Sequence, residues 1–244
     1  MDRRKFIKSS AIALTAASAP NLSAATQMYD PVQLLVDSID TKLNKVKHIV
    51  GYGNFNIIGF NEVLKIAKTY DKVGAFSKHE IEFIEELFYK DPKDFGFYGV
   101  RTCNDLCQEV FEKDLYKVPY TGHYVFKDYL GLYERLVSDV GDTLTLTSGV
   151  RSVVKQLSLF LNRVKRSEYD FRSASHSLAP PGYSYHSVGD FDVGKVGFGW
   201  ANFTSRFAQT NEFKKLTKLS YIDIRYTHGN KDGVRYEPWH IQVI

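Results

Sequence analysis

The sequence predicts an α+β fold: a small antiparallel sheet packed with helices, preceded by a largely helical N-terminal half. Three observations predict it. Apolar residues recur at helical spacing through much of 31–139. Two later segments, 142–148 and 221–226, are strand-like, the first rich in β-branched residues. Helical patterns at 151–166 and 203–219 separate these strands, so helices and antiparallel strands share one region.

The first element is not part of the fold. Residues 1–25 carry a basic stretch with Arg3, Arg4, Lys5 and Lys8, a short apolar run from Ser9 to Ala19, and small residues at Ser23 and Ala25. That is the layout of an export signal. The adjacent arginines resemble the twin-arginine type, with cleavage expected between Ala25 and Thr26. The apolar run is far shorter than the ~20 residues a membrane span requires. The expected mature protein is therefore exported, periplasmic or secreted, with no membrane span. The leader holds four Lys/Arg and one Asp, so the formal charge of +4 falls to about +1 without it. A nucleic-acid-binding domain keeps its basic patch after processing; this one does not, and no nucleic-acid partner is expected.

Residues 26–141 form the expected helical N-terminal region. Val32, Leu35, Val36, Ile39, Leu43 and Val46 fall on one face of a helix over 31–48. A second helix is expected over 61–70. A third starts after Ser77, which with Glu80 makes a capping-box pattern, and runs through Ile81, Ile84, Leu87 and Phe88. Segments 102–113 and 127–139 also read as helices. Cys103 and Cys107, four apart on such a helix, are either bridged in an oxidising compartment or two buried small side chains.

Residues 142–244 form the expected catalytic core. A strand over 142–148 ends at Gly149, and a helix follows over 151–166. Around 183–194, short strands flank a turn at Gly189; a helix over 203–219, a strand over 221–226 and a final strand over 233–243 complete the chain.

Two histidines have a carboxylate at a suggestive offset. His186 and Asp192 would lie ~20 Å apart on a straight strand, so they share a site only if the chain doubles back. Gly189 supplies the residue for such a reversal. Asp190 and Asp192 compete for the role; Asp192 starts the returning strand, whereas Asp190 is expected to be a solvated turn residue. Glu237 and His240 would point to opposite faces of an ideal strand, but Pro238 marks a bulge that can turn both into one pocket. Two imidazoles and one carboxylate hold Zn²⁺ and leave a position for water, and a separate carboxylate can take that water's proton. The plainer alternative is a salt-bridged strand edge with two satisfied histidines. His48, His79 and His123 show no partner pattern and are expected to be structural or exposed. His176 and His228 lie in polar loops near these segments.

Three segments together resemble the VanY-like D-alanyl-D-alanine carboxypeptidases and their dipeptidase relatives. Ser184-Tyr-His186-Ser-Val-Gly189-Asp-Phe-Asp192 is similar to the family's Ser-x-His-x-x-Gly-x-Ala-x-Asp, and Glu237-Pro-Trp239-His240 to its Glu-x-Trp-His. Ser148-Gly-Val-Arg151-Ser-Val-Val-Lys-Gln156 is similar to its Ser-Gly-Tyr-Arg-Ser-x-x-x-Gln. The resemblance implies a zinc peptidase acting on peptidoglycan stem peptides. It implies His186, Asp192 and His240 as zinc ligands, Glu237 as general base, and Arg151 as the cation steadying the oxyanion. Gln156 and Ser184 would hold the substrate carboxylate, and Trp239 would pack as a wall. The family spaces its His and Asp by seven residues; here they are six apart, a turn shortened by one. A D,D-dipeptidase, an L,D-carboxypeptidase, an endopeptidase and a non-catalytic wall-binding relative are the alternatives. A non-haem iron oxygenase uses the same donor types, but places its first His and carboxylate one residue apart and would leave Glu237 without a role.

Overall fold

In the computed structural model, residues 30–243 are described; the expected leader, 1–25, lies outside them. Helix α1 (Pro31–Val50) opens the chain, capped by the Asp30 carboxylate, which accepts from Val32 N at 2.8 Å. It is followed by α2 (Tyr52–Phe55), α3 (Phe60–Thr69) and α4 (Lys78–Tyr89). The capping box at α4 is present in full: Ser77 Oγ accepts from Glu80 N, and Ser77 N donates to Glu80 Oε2 at 2.6 Å. Helix α6 (Val153–Arg166) packs against these, and Val36, Leu43, Ile84, Leu157, Phe160 and Leu161 all sit in one apolar core. The helical N-terminal region and the first helix of the second half therefore share their interior.

A second core lies on the sheet. Strands β3 (Leu144–Ser148), β4 (Phe191–Lys195), β5 (Asp223–Tyr226) and β6 (Glu237–Gln242) form an antiparallel sheet in the order β3-β4-β6-β5. Alternation in β3 buries Leu144, Leu146 and Ser148. Helices α5 (Leu130–Val140) and α8 (Asn211–Leu216) cover the sheet through Leu136 and Leu216, against Phe191, Val193 and Ile241. A separate hairpin, β1 (Leu115–Lys117) with β2 (Tyr124–Phe126), links the two parts. Short α7 (Phe171–Ser175) closes the far end of α6. No helix among the described residues is long and apolar enough to cross a membrane.

Two expected helices are not formed as expected. Residues 102–113 are turns ending in a short 3-10 segment, Glu112–Asp114. Their backbone donors go elsewhere: Thr102 N and Cys103 N bond Gly182 O, and Cys107 N bonds the Asp105 carboxylate. A side-chain acceptor two residues back competes directly with the helical carbonyl. Both cysteines are free, Cys103 buried and Cys107 half-buried. The helix expected over 203–219 is broken into 3-10 turns, Gly199–Phe203 and Ser205–Gln209, and α8. Thr204 and Thr210 are extended, and each hydroxyl accepts from a following backbone amide, Arg206 N and Phe213 N. Each threonine thus ends one segment and caps the next.

Candidate metal centre and active site

The site is assembled where β3, β4 and β6 meet the turn before β4. Strand β3 ends in a register shift between Leu146 and Ser148, and the chain runs through Gly149 to Arg151. Gly149 has no room for a side chain, because a Cβ would collide with Tyr124 O. Its carbonyl meets His186 Nδ1 at 2.9 Å. His186 lies on a 3-10 turn, Tyr185–Ser187, that leads into Gly189. Gly189 adopts φ +125°, and a Cβ there would run into the Tyr129 ring. This reversal brings β4 back so that Asp192 pairs with His240 across the sheet. In β6, the register jumps between Ile224/Ile241 and Tyr226/Glu237, a bulge at Pro238-Trp239. The bulge places Glu237 on the same side as His240.

The structure brings His186, Asp192 and His240 together and buries them. Asp192 Oδ1 stands 3.3 Å from His186 Nε2 and 3.3 Å from His240 Nδ1. All three donor atoms lie within 4.8 Å of one another. Ligand atoms ~2.0–2.1 Å from a tetrahedral zinc ion are themselves ~3.3 Å apart. His186 Nε2 and Asp192 Oδ1 are buried with no hydrogen-bond partner, although buried polar atoms are almost always satisfied. The outward nitrogens are engaged: His186 Nδ1 donates to Gly149 O, and His240 Nε2 donates to Asp190 Oδ2 at 3.0 Å. With the His240 ring neutral, as metal binding requires, both inward lone pairs face the Asp192 carboxylate. The residues present fit a small, tetrahedral, nitrogen- and oxygen-liganded cation.

Glu237 stands beside this cluster, with Oε2 3.7 Å from His240 Nδ1 and Oε1 3.8 Å from Arg235 Nε. Arg151 is held on three sides. Its Nε donates to Ser148 Oγ at 2.9 Å, Nη2 to Asp192 Oδ2 at 2.7 Å, and Nη1 to Gln156 Oε1 at 3.5 Å. Gln156 Nε2 in turn donates to Ala179 O at 2.6 Å. A small cavity fronts the cluster, lined by Arg151, Gln156, Ser184, His186, Glu237 and His240. Larger surface depressions, such as that beside Tyr169 and Arg172, carry no comparable donor set among the described residues.

The electrostatics separate the two imidazoles. Burial, with the Arg151 guanidinium nearby, lowers the His186 pKa to about 4, so its ring is neutral. Burial also opposes charge on His240, but Asp190, Glu237 and Asp192 outweigh it and raise its pKa to about 9. For Asp192, burial is outweighed by His186, Arg151 and His240, and the carboxyl is held well below its usual range. Burial pushes the Glu237 carboxyl up despite His240.

Several residues around the cluster were not legible in the sequence. Asp190 is not a solvated turn residue: it is 2% exposed and bonded to His240 and Arg225. His123 is buried, its Nε2 3.4 Å from Tyr52 Oη, and burial with Arg151 and Lys155 lowers its pKa to about 4. Tyr226 stands edge-on to His240 with ring centroids 4.8 Å apart. Arg225 sits on the edge strand β5, where an arginine can equally face solvent, so it gave no clear signal of its pairing with Asp190. His176 and His228 stay outside the cluster: His176 Nδ1 meets Gly233 O, and exposed His228 stacks on Tyr236. Trp239 is a buried member of the second core.

Comparison with known proteins places these residues in context. The family model described as VanY, D-alanyl-D-alanine carboxypeptidase, matches residues 124–244. No curated protein sequence matches the chain. Among solved structures, the LdcB LD-carboxypeptidase is 25% identical, with a TM-score of 0.45 over 53% of this chain and 63% of that one. This chain therefore spans less than two thirds of that relative. A variant of the vancomycin-resistance D,D-pentapeptidase VanY, solved with Zn(II), is 19% identical, with a TM-score of 0.40 over 52% of this chain and 76% of that one. VanYB in complex with D-alanine-D-alanine is 22% identical, with a TM-score of 0.44 over 53% of this chain and 76% of that one.

Proposed function

The chain belongs, through residues 124–244, to the VanY family, and from that membership we propose that it is a zinc D,D-carboxypeptidase of peptidoglycan stem peptides. The observation that carries the reading is the set of three buried donor atoms, two of them orphaned, beside a carboxylate outside the set. His186 Nε2, Asp192 Oδ1 and His240 Nδ1 would hold the zinc. When bound, the ion supplies Lewis acidity: it polarises the scissile carbonyl and lowers the pKa of water.

The protein's own groups do the rest. Glu237 accepts the proton of the attacking water and returns it to the leaving amine; the burial that raises its pKa suits it to both transfers. Arg151, fixed by Ser148, Asp192 and Gln156, presents a positioned cation to the developing oxyanion. Ser184 and Gln156 line the same cavity and would orient the terminal carboxylate of the substrate. Such peptides lie outside the cytoplasm, which agrees with the export signal read in 1–25.

The test is zinc stoichiometry together with D-alanine release from a pentapeptide ending in D-Ala-D-Ala, for wild type and Glu237→Ala. One zinc in both proteins, with release by wild type and ~10²–10⁴-fold slower release by the variant, supports the reading. Zinc without release by wild type moves the activity to another wall bond, the dipeptide, L,D or cross-linked ones. Absence of zinc from wild type removes the mechanism and leaves a wall-binding relative.

A further inference from the structure

Asp190 was expected in solvent, yet it is one of the least exposed charged groups among the described residues. Its two oxygens accept four bonds. Oδ2 takes His240 Nε2 at 3.0 Å and Arg225 Nε; Oδ1 takes Arg225 Nη2 at 3.1 Å and Val243 N at 3.0 Å. The Arg225 guanidinium is fixed from its other side by the Tyr185 ring, 3.7 Å from its centroid. Neither Asp190 nor Arg225 has a role in the mechanism above.

The placement follows from the strand. Residues two apart on an extended segment face the same way. Asp190 and Asp192 therefore flank one side of β4, while Phe191 between them turns into the second core. Across the sheet, the His240 ring sits between the two carboxylates. Its Nδ1 faces Asp192 and its Nε2 faces Asp190. A neutral imidazole has one N–H and one lone pair, and the bond made by one nitrogen decides the state of the other. An acceptor at Nε2 puts the hydrogen there and leaves the lone pair on Nδ1, toward Asp192 and His186.

We propose that Asp190, locked by Arg225 and the Val243 amide, is a positioning residue that sets the tautomer and ring orientation of His240. The inference rests on the zinc reading of the site and deepens it. A carboxylate behind a metal-binding histidine typically contributes 10–100-fold to metal affinity. The contact also ties the last strand of the chain to the turn before β4, so the two arms of the site are held by one side chain.

Asp190→Asn is the discriminating variant. Every group touching Asp190 is a donor, so the amide NH₂ must face one of two donor pairs. Facing His240, it forces the other tautomer and turns an N–H toward Asp192. Zinc affinity would be measured by chelator competition, and the His240 tautomer by ¹⁵N NMR of the zinc-loaded protein. Leu216→Ala, which loosens the same core from α8, is the control for general destabilisation.

The expected result is Nε2–H on His240 in wild type and a 10–100-fold loss of zinc affinity in Asp190→Asn, with affinity unchanged in Leu216→Ala. Wild-type affinity in Asp190→Asn with the tautomer switched, or equal losses in both variants, overturns the proposal. Wild-type affinity with Nε2–H retained supports it, because the amide oxygen then serves as the acceptor. Should Asp190→Asn not fold, the wild-type spectrum alone decides: an Nδ1–H tautomer overturns it. Should wild type take up no zinc, the zinc reading fails instead. The tautomer is then read on metal-free protein brought to the pH at which the ¹⁵N spectrum itself shows a neutral His240 ring; Nε2–H there sustains Asp190's role and Nδ1–H overturns it.

Discussion

The core shared by α1, α3, α4 and α6 buries Val36, Leu43, Ile84, Phe160 and Leu161. Its ion pairs, Lys165–Asp40 and Lys42–Glu80, each join a buried carboxylate to a partly exposed lysine rather than forming a cluster. The sheet side of the molecule buries Arg151, His186, Asp190, Asp192, Glu237 and His240 in one connected cluster. Burying charge costs several kcal/mol per ion before pairing offsets it, whereas each buried aliphatic or aromatic side chain contributes about 1.5–3 kcal/mol. The helical side therefore supplies stability, and the sheet side spends some of it on holding a site. Substitutions in the two regions should separate accordingly.

The largest expected effect is on the sheet side. Glu237→Gln should lower the rate of D-alanine release by ~10²–10⁴-fold, because the amide cannot accept the proton. Its stability should rise or stay level. Burial raises the folded pKa of Glu237, so above the unfolded carboxyl pKa the ionised form is disfavoured by folding. An isosteric amide removes that cost. A fall of the thermal midpoint in this variant would show that Glu237 is a structural ion-pair partner of Arg235 rather than a group held against the interests of the fold.

Phe160→Ala is the reverse case. The ring is fully buried and packs against Phe95 and Phe171, with centroids 6.1 and 6.3 Å away. Truncation should cost about 3–5 kcal/mol, measured by urea unfolding, and leave zinc affinity of the folded fraction unchanged. A loss of zinc affinity would mean that packing in the helical core reaches through α6 to Arg151, whose chain position is two residues before that helix begins.

How far the sequence disclosed these two regions depends on what each element's pattern encodes. The helices α1, α3, α4 and α6 were legible because their apolar period is set by one flat contact with the core. Segment 102–113 carried similar spacing, with Cys103, Leu106 and Cys107 meeting the core from irregular chain. Periodicity reports burial there, not hydrogen bonding. The break at Thr204 and Thr210 was hidden for a related reason: the apolar residues keep their spacing while two threonine caps divert the backbone. In the site, motif spacing singled out His186, Asp192, Glu237 and His240, which the structure assembles. Asp190 escaped, because whether it faces solvent or His240 depends on the residue at which β4 resumes. A shift of one would have exchanged its side with that of Phe191.

Lys155 sharpens the contrast at the boundary between the regions. It is 6% exposed, makes no ion pair among the described residues, and lies over the rings of Tyr52 and Phe55 at 4.7 and 5.8 Å. Burial, with Arg151 and Lys47, lowers its pKa to about 7 from 10.5. Between those values the unfolded chain binds more protons than the folded one, so stability rises with pH across that window. The cost is fully present below pH 7. Lys155→Met should therefore stabilise the protein by about 1–3 kcal/mol below pH 7 once the lost cation–π contacts are deducted, and the gain should shrink toward pH 10.5. A gain that is independent of pH would place the ammonium in water.

The smallest effect belongs to the helical side. Ser77→Ala removes one of the two reciprocal bonds of the α4 capping box, the one to Glu80 N at 3.2 Å. The usual cost is about 0.5–2 kcal/mol. Here Glu80 has other partners: Oε1 accepts from Ser38 Oγ, and Oε2 accepts from Lys42 Nζ, each at 2.6 Å. Those bonds anchor the carboxylate to α1, so it stays in place to accept from residue 77 N after the hydroxyl is gone. The loss should therefore fall at the lower end of the range, and Glu80→Gln, which weakens α1 and α4 together, should cost more. Thermal unfolding of the two variants compares them directly. Equal losses would show that the box stabilises only its own helix end, and that the helical core does not depend on the bridge from α1 to α4.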